Sequence, residues 1–347
     1  MRRNPLGRTG IEVSELCLGT MTFGTQTPEA EAHAQMDRAL EAGIDFLDTA
    51  EMYPVNPVRA ETIGLSEEIV GNWFATRGRR DAWVVATKHS GEGMSHVRDG
   101  APITSATIPG AIEDSLRRLK IDCIDLYQFH WPNRGSYHFR KNWRYDPSGQ
   151  DRAATRAHME DALDALQRQV DKGNIRAFGL SNESAWGTAE WLRLADAAGG
   201  PRVASIQNEY SLLCRMADTD LAELCVNEDV GLLPFSPLAA GLVTGKYQGG
   251  AVPEGSRRSH VDSLGGRITP RAFEAVAAYH ALAGRFGLDP VHMALAWAAR
   301  RPFVASAIFG ATRLEQLEHA LGAVEVVLSE ELLEAIDAVH RDHPMPY

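Results

Sequence analysis

A chain of 347 residues with 44% hydrophobic and 23% charged residues has an ordinary globular composition, with enough apolar residues for a sizeable core. Its formal net charge of −11 offers no basic face for a phosphate backbone, which excludes a nucleic-acid partner. No apolar run approaches the roughly 18 residues of a membrane span, and no apolar segment follows Arg2 and Arg3. Cys17, Cys123, Cys214 and Cys225 are scattered without ligand spacing, so the expectation is a cytoplasmic protein with free thiols, no membrane partner and no bound metal.

A glycine-punctuated stretch from Pro5 to Val13 predicts a short hairpin or arm within residues 1–14. Strand-like apolar runs follow at 16–21, 46–50, 82–88, 123–130, 175–181, 204–210, 231–237 and 305–311. Amphipathic stretches lie between them at 28–43, 108–119, 154–173 and 220–229, the first with Ala34, Met36, Ala39 and Leu40 on one face. Gly43 and Gly173 stand where helix C-termini favour glycine. A last helix over 328–340, capped by Ser329, belongs to a C-terminal helix and tail at 324–347. Eight strands alternating with helices predict a single (β/α)8 barrel domain over 1–347.

An open dinucleotide-binding sheet would carry G-x-G-x-x-G after its first strand, and CLGTMTFG (17–24) lacks that spacing. GLVTGK (241–246) has three residues between its glycines, with Tyr247 where a phosphate loop has Ser or Thr, so it is not one. The long connections 89–106, 132–151 and 238–269 fall at the mouth of a barrel, where specificity is set. Trp73, Trp83 and Trp297 are expected in the core. The basic cluster Arg140, Lys141 and Arg144 is expected to be a solvated loop.

Asp48, Tyr53, Lys88 and His130 end or closely follow three successive strand runs, in FLDTAEMY, AWVVATK and CIDLYQFH. Neighbouring parallel strands open their carboxyl ends on one face, so these side chains converge. A phenol titrates near pH 10, and the expectation is that Lys88 lowers this value while Asp48 holds Lys88 charged. His130 would orient a substrate carbonyl. Such a set protonates a developing alkoxide, the second half of a carbonyl reduction. The hydride half needs a nicotinamide cofactor. Taken singly, an Asp or His after a strand is more often a helix cap or a satisfied polar group. A metal-dependent hydrolase would need several His and carboxylate ligands at strand ends, and only Asp48 and His130 qualify.

LGTMTFG, FLDTAEMY, VVATK, DLYQFHWP, KGNIRAFGLSN, IQNEYSLL, FSPLAAGLVTGKY and FGATRLEQL follow one another over nearly the whole chain. In that order they resemble the aldo-keto reductase family. TAEMYPV and GLSNESAWG are most similar to its Tas-type bacterial branch, close to the potassium-channel β-subunit branch. The resemblance implies a (β/α)8 barrel that binds NADP(H) in extended form and reduces a small-molecule carbonyl substrate. It makes Tyr53 the general acid, supported by Asp48, Lys88 and His130. Gly19, Thr20 and Met21 join the cofactor-binding set, and Ser181, Asn182 and Gln207 would hold the nicotinamide carboxamide. Tyr210 would stack on the ring. Ser236, Pro237, Leu238, Gly241 and Lys246 would line the pyrophosphate. Arg257, Gly310, Thr312, Arg313 and Gln316 would meet the adenosine end and its 2′-phosphate, favouring NADP over NAD.

Trp131 would line the substrate mouth, with whichever of Tyr137, Phe139, Trp143 and Tyr145 fold inward. The chain departs from the family's usual Glu-Asn at His319–Ala320, which implies loss of an adenine contact. Without the resemblance, Ser181–Asn182 reads as a helix N-cap, Tyr210 as an ordinary strand aromatic and Lys246 as an exposed loop lysine. An NADP(H)-bound regulatory or scaffold subunit is the alternative function.

Overall fold

In the computed structural model, which describes residues 1–347, an antiparallel ribbon of β1 (Arg3–Pro5) and β2 (Glu12–Ser14) precedes eight parallel strands. These are β3 (Leu16–Gly19), β4 (Phe46–Asp48), β5 (Val84–His89), β6 (Ile124–Phe129), β7 (Ile175–Ser181), β8 (Val203–Gln207), β9 (Gly231–Leu232) and β10 (Ala307–Phe309). They are hydrogen-bonded in the order β10-β3-β4-β5-β6-β7-β8-β9. Bridges Leu232–Val304 and Phe235–Ile308 return β9 to β10 and close the sheet as the expected (β/α)8 barrel. Closure leaves no unpaired edge. β9 and β10 are shorter than their apolar runs. Pro234 and Pro237 cannot donate to a ladder, although the Pro234 carbonyl still accepts from Ile308 N at 2.8 Å.

Alternation along each strand creates two separate cores. Inward-facing Cys17, Phe46, Ala86, Leu126, Ala177, Leu233 and Ile308 pack with Leu6, Ile11 and Val13 of the ribbon. The ribbon therefore plugs the barrel at the amino ends of the strands. Gly7, at φ +58°, lets it approach closely, because a Cβ there would lie 2.6 Å from the Ala204 carbonyl oxygen. The carboxyl ends are left as the open face. Outward-facing Leu47, Val85, Tyr127, Phe129, Phe178 and Ile206 join a larger core with the surrounding helices.

Helices Glu29–Glu41, Ile108–Leu119, Arg152–Asp171, Asp220–Glu228 and Glu330–Asp342 fall within two residues of the expected stretches. Ser329 Oγ accepts from Leu332 N at 3.2 Å, as a cap should. Leu65–Arg77 and Pro290–Ala299 gave no amphipathic signal, the second because it is buried nearly all round and the first because its buried face carries polar residues. The first buries Ser66 and Glu67 as well as Ile69, Val70, Trp73 and Phe74. Trp73, Trp83 and Trp297 are buried and the four cysteines are free, as expected. No helix is long and apolar enough to cross a membrane.

Helix Leu65–Arg77 meets Ile108–Leu119 at Gly71, where an added Cβ would stand 2.2 Å from the Arg118 carbonyl oxygen. That oxygen belongs to backbone and cannot swing aside. Gly71→Ala should therefore lower the unfolding free energy by about 1–3 kcal/mol in urea titration. An unchanged midpoint and slope would contradict this close crossing.

Candidate active site

One layer above the apolar plug, the same inward alternation places polar groups. Asp48 follows Phe46 by two residues, Lys88 follows Ala86, and Gln128 and His130 follow Leu126. The fully buried Lys88 Nζ donates to Asp48 Oδ2 at 2.6 Å and to the Thr49 carbonyl at 2.7 Å. Asp48 Oδ1 accepts from Gln128 Nε2 at 3.1 Å and from Gln207 Nε2 at 2.8 Å. Tyr53 stands on the loop after β4, its ring centroid 4.9 Å from Lys88 Nζ and 5.7 Å from the His130 ring. That loop is held from behind by Glu51, whose carboxylate accepts from Arg98 Nη1 and Nη2 at 2.6 and 2.7 Å. Asp48, Tyr53, Lys88 and His130 do converge at the open end.

Burial alone would push the Lys88 ammonium down, but Asp48 and then Tyr53 more than offset it, so it titrates above its ordinary value. Tyr53 corrects an expectation. Enclosure raises its phenol, Lys88 lowers it, Asp48 raises it again, and the balance lies above the ordinary value of 10.0. The phenol therefore stays protonated across the physiological range. Burial and the Lys88 charge hold His130 well below its usual range, so its imidazole is neutral, and its Nδ1 has no partner. Beside this set, burial lowers His89 to about 4.

Ser181 and Asn182 lie at the end of β7. Ser181 Oγ donates to the Gln207 carbonyl at 2.9 Å. Asn182, at φ +53°, donates from Nδ2 to the His130 carbonyl at 2.9 Å and leaves Oδ1 buried and unpartnered. Neither caps a helix: Ser184 does, accepting from Gly187 N at 3.1 Å. Thr20 donates from N and Oγ1 to the Asp48 carbonyl, and the Met21 carbonyl accepts from Val55 N. Gly19 faces Gly310 so closely that a Cβ on Gly310 would sit 3.2 Å from the Gly19 carbonyl oxygen. Ser236 (φ +53°), Pro237, Leu238 and Gly241 (φ +92°) form the turn after β9, followed by exposed Lys246. Arg257 Nε is buried without a partner, and burial, reinforced by Arg267, lowers its guanidinium to about 10.

Arg313 is exposed at the start of helix Leu314–Leu321, within 3.7 Å of a Cβ placed on Gly255. Thr312 N donates to Gln316 Oε1 at 2.9 Å. His319 turns to Asp289 at 3.0 Å.

Tyr210 is not brought to this cleft. Its ring is buried, stacked on Trp297 at 5.1 Å, and its hydroxyl donates to Asp218, all within the outer core. Gln207 is committed to Asp48. In the basic cluster Lys141 and Arg144 are exposed, as expected, and only Arg140 needs correction. Arg140 is not solvated but donates to Glu209 Oε2 at 2.8 Å. Glu209 accepts from Arg267 Nε at 2.8 Å and from Tyr347 Oη at 3.3 Å as well. It thereby ties the loops 132–151 and 238–269 and the C-terminus together at the mouth.

Sequence reasoning missed Gln128, Glu209 and Phe235. Gln128 was readable, being two residues before His130 on the same strand face. So was Phe235, two residues beyond inward-facing Leu233, partly exposed and bridging Glu209 and Ile308. Glu209's partners lie 58 to 138 positions away, with no local signal. Trp131 packs on His130 at 5.0 Å and donates from Nε1 to the Glu92 carbonyl. Phe139 (47% exposed) and Trp143 (60%) face solvent, while Tyr137 and Tyr145 pack on each other. A cavity of about 300 Å³ between Phe129, Arg134, His158 and Trp191 reaches Ser181 from outside the barrel and is not part of the Tyr53 cleft.

The sequence profile described as "Aldo/keto reductase family" matches residues 15–341. "Protein tas" of Escherichia coli (strain K12) is 43% identical over 350 residues, covering 100% of this chain and 99% of that protein. An "Uncharacterized oxidoreductase YrpG" of Bacillus subtilis (strain 168) is 31% identical over 96% of this chain and 94% of its own length. A "Probable voltage-gated potassium channel subunit beta" of Arabidopsis thaliana is 30% identical over 99% of this chain and 98% of its own.

Removing one partner of the buried pair strands the other. Lys88→Met should destabilise the fold by about 3–5 kcal/mol, and the double variant Asp48→Asn/Lys88→Met should recover most of that. Equal losses in the single and double variants would contradict the pairing. His89 gives a pH signature. Its folded value of about 4 lies below the ordinary 6.5, so the unfolded chain binds more protons between them. The contribution of His89 is complete above pH 6.5 and falls by up to roughly 3 kcal/mol towards pH 4. Chemical denaturation across that window should show a shallower fall in His89→Gln; an identical slope would contradict the assignment.

Proposed function

The chain belongs to the aldo/keto reductase family, and on that premise we propose that it reduces aldehydes or ketones to alcohols with NADPH, Tyr53 acting as proton donor. It does so as one catalytic unit over residues 1–347, in the cytoplasm. The observation that carries this reading is the charged Lys88 Nζ, 4.9 Å from the Tyr53 ring at the open end of the barrel, with neutral His130 alongside. NADPH, when bound, supplies hydride from its nicotinamide ring.

The residues present fit such a cofactor. Asn182 Oδ1 and Arg257 Nε are buried polar atoms awaiting partners. Ser181 and Asn182 would hold the carboxamide, and Phe235 replaces Tyr210 as the aromatic on the inner wall. Ser236, Pro237, Leu238, Gly241 and Lys246 would follow the pyrophosphate. Gly19, Thr20 and Met21 would close the first strand's side, and Gly310, Thr312 and Gln316 would border the adenosine. Arg257 and Arg313 favour a 2′-phosphate dianion over a bare hydroxyl.

The remaining chemistry belongs to the protein. His130 offers a ring N–H to the carbonyl oxygen of a substrate and so points it at Tyr53 Oη. As negative charge grows on that oxygen, the Tyr53 proton moves to it, forming the alcohol O–H. Lys88 stabilises the phenolate left behind, and Asp48, fixed by Gln128 and Gln207, keeps Lys88 charged. Solvent then returns a proton to Tyr53. Trp131 borders the entrance and favours apolar or aromatic substrates. The alternative, a nucleotide-bound regulatory subunit, draws on the relative named as a channel subunit. Repeated turnover of NADPH with 4-nitrobenzaldehyde decides between the two.

Tyr53→Phe should reduce kcat/KM by about 10²–10⁴ while NADPH still quenches tryptophan fluorescence. Near-native turnover in that variant would remove Tyr53 from the mechanism. Arg313→Ala should weaken NADPH binding by about tenfold and leave NADH binding nearly unchanged. Equal loss for both nucleotides would contradict a 2′-phosphate contact.

A further inference from the structure

A second group of side chains lies outside the Tyr53 cleft, where the turn before helix Pro290–Ala299 meets helix Leu314–Leu321. Asp289 caps the first helix, its Oδ1 accepting from Val291 N at 2.8 Å and His292 N at 3.1 Å. Its other oxygen, Oδ2, lies 3.0 Å from His319 Nε2. The His292 ring is tilted against the His319 ring at 4.8 Å, and its Nε2 is 2.6 Å from the His319 carbonyl oxygen. One ligand atom from each of the three residues falls within 4.8 Å of the others.

We propose that Asp289, His292 and His319 form a binding site for one divalent transition-metal ion of the zinc type. Two imidazoles and one carboxylate suit zinc, nickel or cobalt, whereas magnesium and calcium require mainly oxygen ligands. Ligand atoms at about 2.0–2.1 Å from a tetrahedral zinc lie roughly 3.3 Å apart, close to the Asp289–His319 separation. The second contacts of His292 and Asp289 are those a metal site uses. His292 Nε2 donates its proton to a backbone carbonyl, which fixes the ring and leaves Nδ1 as the lone-pair donor. Asp289 Oδ1 is spent on two backbone N–H groups, which orient Oδ2.

Gly322 makes room for the His292 ring, because a Cβ there would lie 2.3 Å from its Cε1. The His319 side chain is 50% exposed, which lets water complete the coordination. Glu325 lines the same surface depression as Asp289 and His292. An ion here would pin the turn to the helix whose first residues follow Thr312 and Arg313. The site is independent of the reductase chemistry.

The test is isothermal titration of untagged, chelator-stripped full-length protein with zinc chloride, repeated with nickel and magnesium. A single equivalent of zinc or nickel should bind and raise the thermal midpoint, with no effect of magnesium. His292→Gln and His319→Gln should each weaken binding at least about tenfold. Both are surface substitutions, and their folding can be checked by circular dichroism. Independently, in the unaltered protein, paramagnetic nickel should broaden the ring resonances of two histidines before any others. Absence of stoichiometric binding, undiminished affinity in His292→Gln or His319→Gln, or broadening of other histidines first would overturn the site.

Discussion

The ion pair between Asp48 and Lys88 is the interaction on which the rest of the open face depends. Both groups are withdrawn from water at 2.6 Å, a desolvation that costs several kcal/mol per ion before any attraction is counted. It persists because further hydrogen bonds hold both members of the pair. The Thr49 carbonyl takes a second proton of Lys88, and Gln128 and Gln207 saturate the other Asp48 oxygen. Four strands contribute to this arrangement, so it exists only when β4, β5, β6 and β8 are in register around a closed barrel. Such a pair is a poor device for stability. It is a good one for delivering a fixed positive charge beneath a phenol.

That charge acts against the enclosure of Tyr53, and the balance leaves the phenol protonated, as the proposed donor role requires. A phenol whose titration lies above its ordinary value is a reservoir of protons at neutral pH, suited to carbonyl reduction. Neutral His130 complements this, because it places no second cation beside Lys88. Further out, Glu209 fastens both long loops and the C-terminus, so the walls of the cleft and its catalytic floor are braced by different buried carboxylates.

Much of this was legible in the sequence, for reasons that can be located. Strand ends are legible because apolar runs stop abruptly at polar residues, and period-two alternation carries Asp48, Lys88 and His130 to one face. The same rule, applied to Gln128 and Phe235, would have found them. Tyr210 deceived because it follows β8, beyond the reach of strand alternation, and its packing against Trp297 is a contact between positions 87 apart. Arg140 deceived because a charge run in a loop looks solvated until its distant carboxylate is known. The titration of Tyr53 was misjudged in sign because a sequence displays the neighbouring charge but not the depth at which both groups sit.

The central claim is that Tyr53 keeps its proton despite the adjacent ammonium. It can be measured directly by carbon NMR of protein labelled at tyrosine Cζ, titrated with pH and assigned by comparison with Tyr53→Phe. The buried pair and the enclosed ring predict that the Tyr53 resonance shifts only above the ordinary phenol value of 10.0. A midpoint below about 8 would mean that Lys88 dominates over enclosure, and would contradict the protonated donor described here.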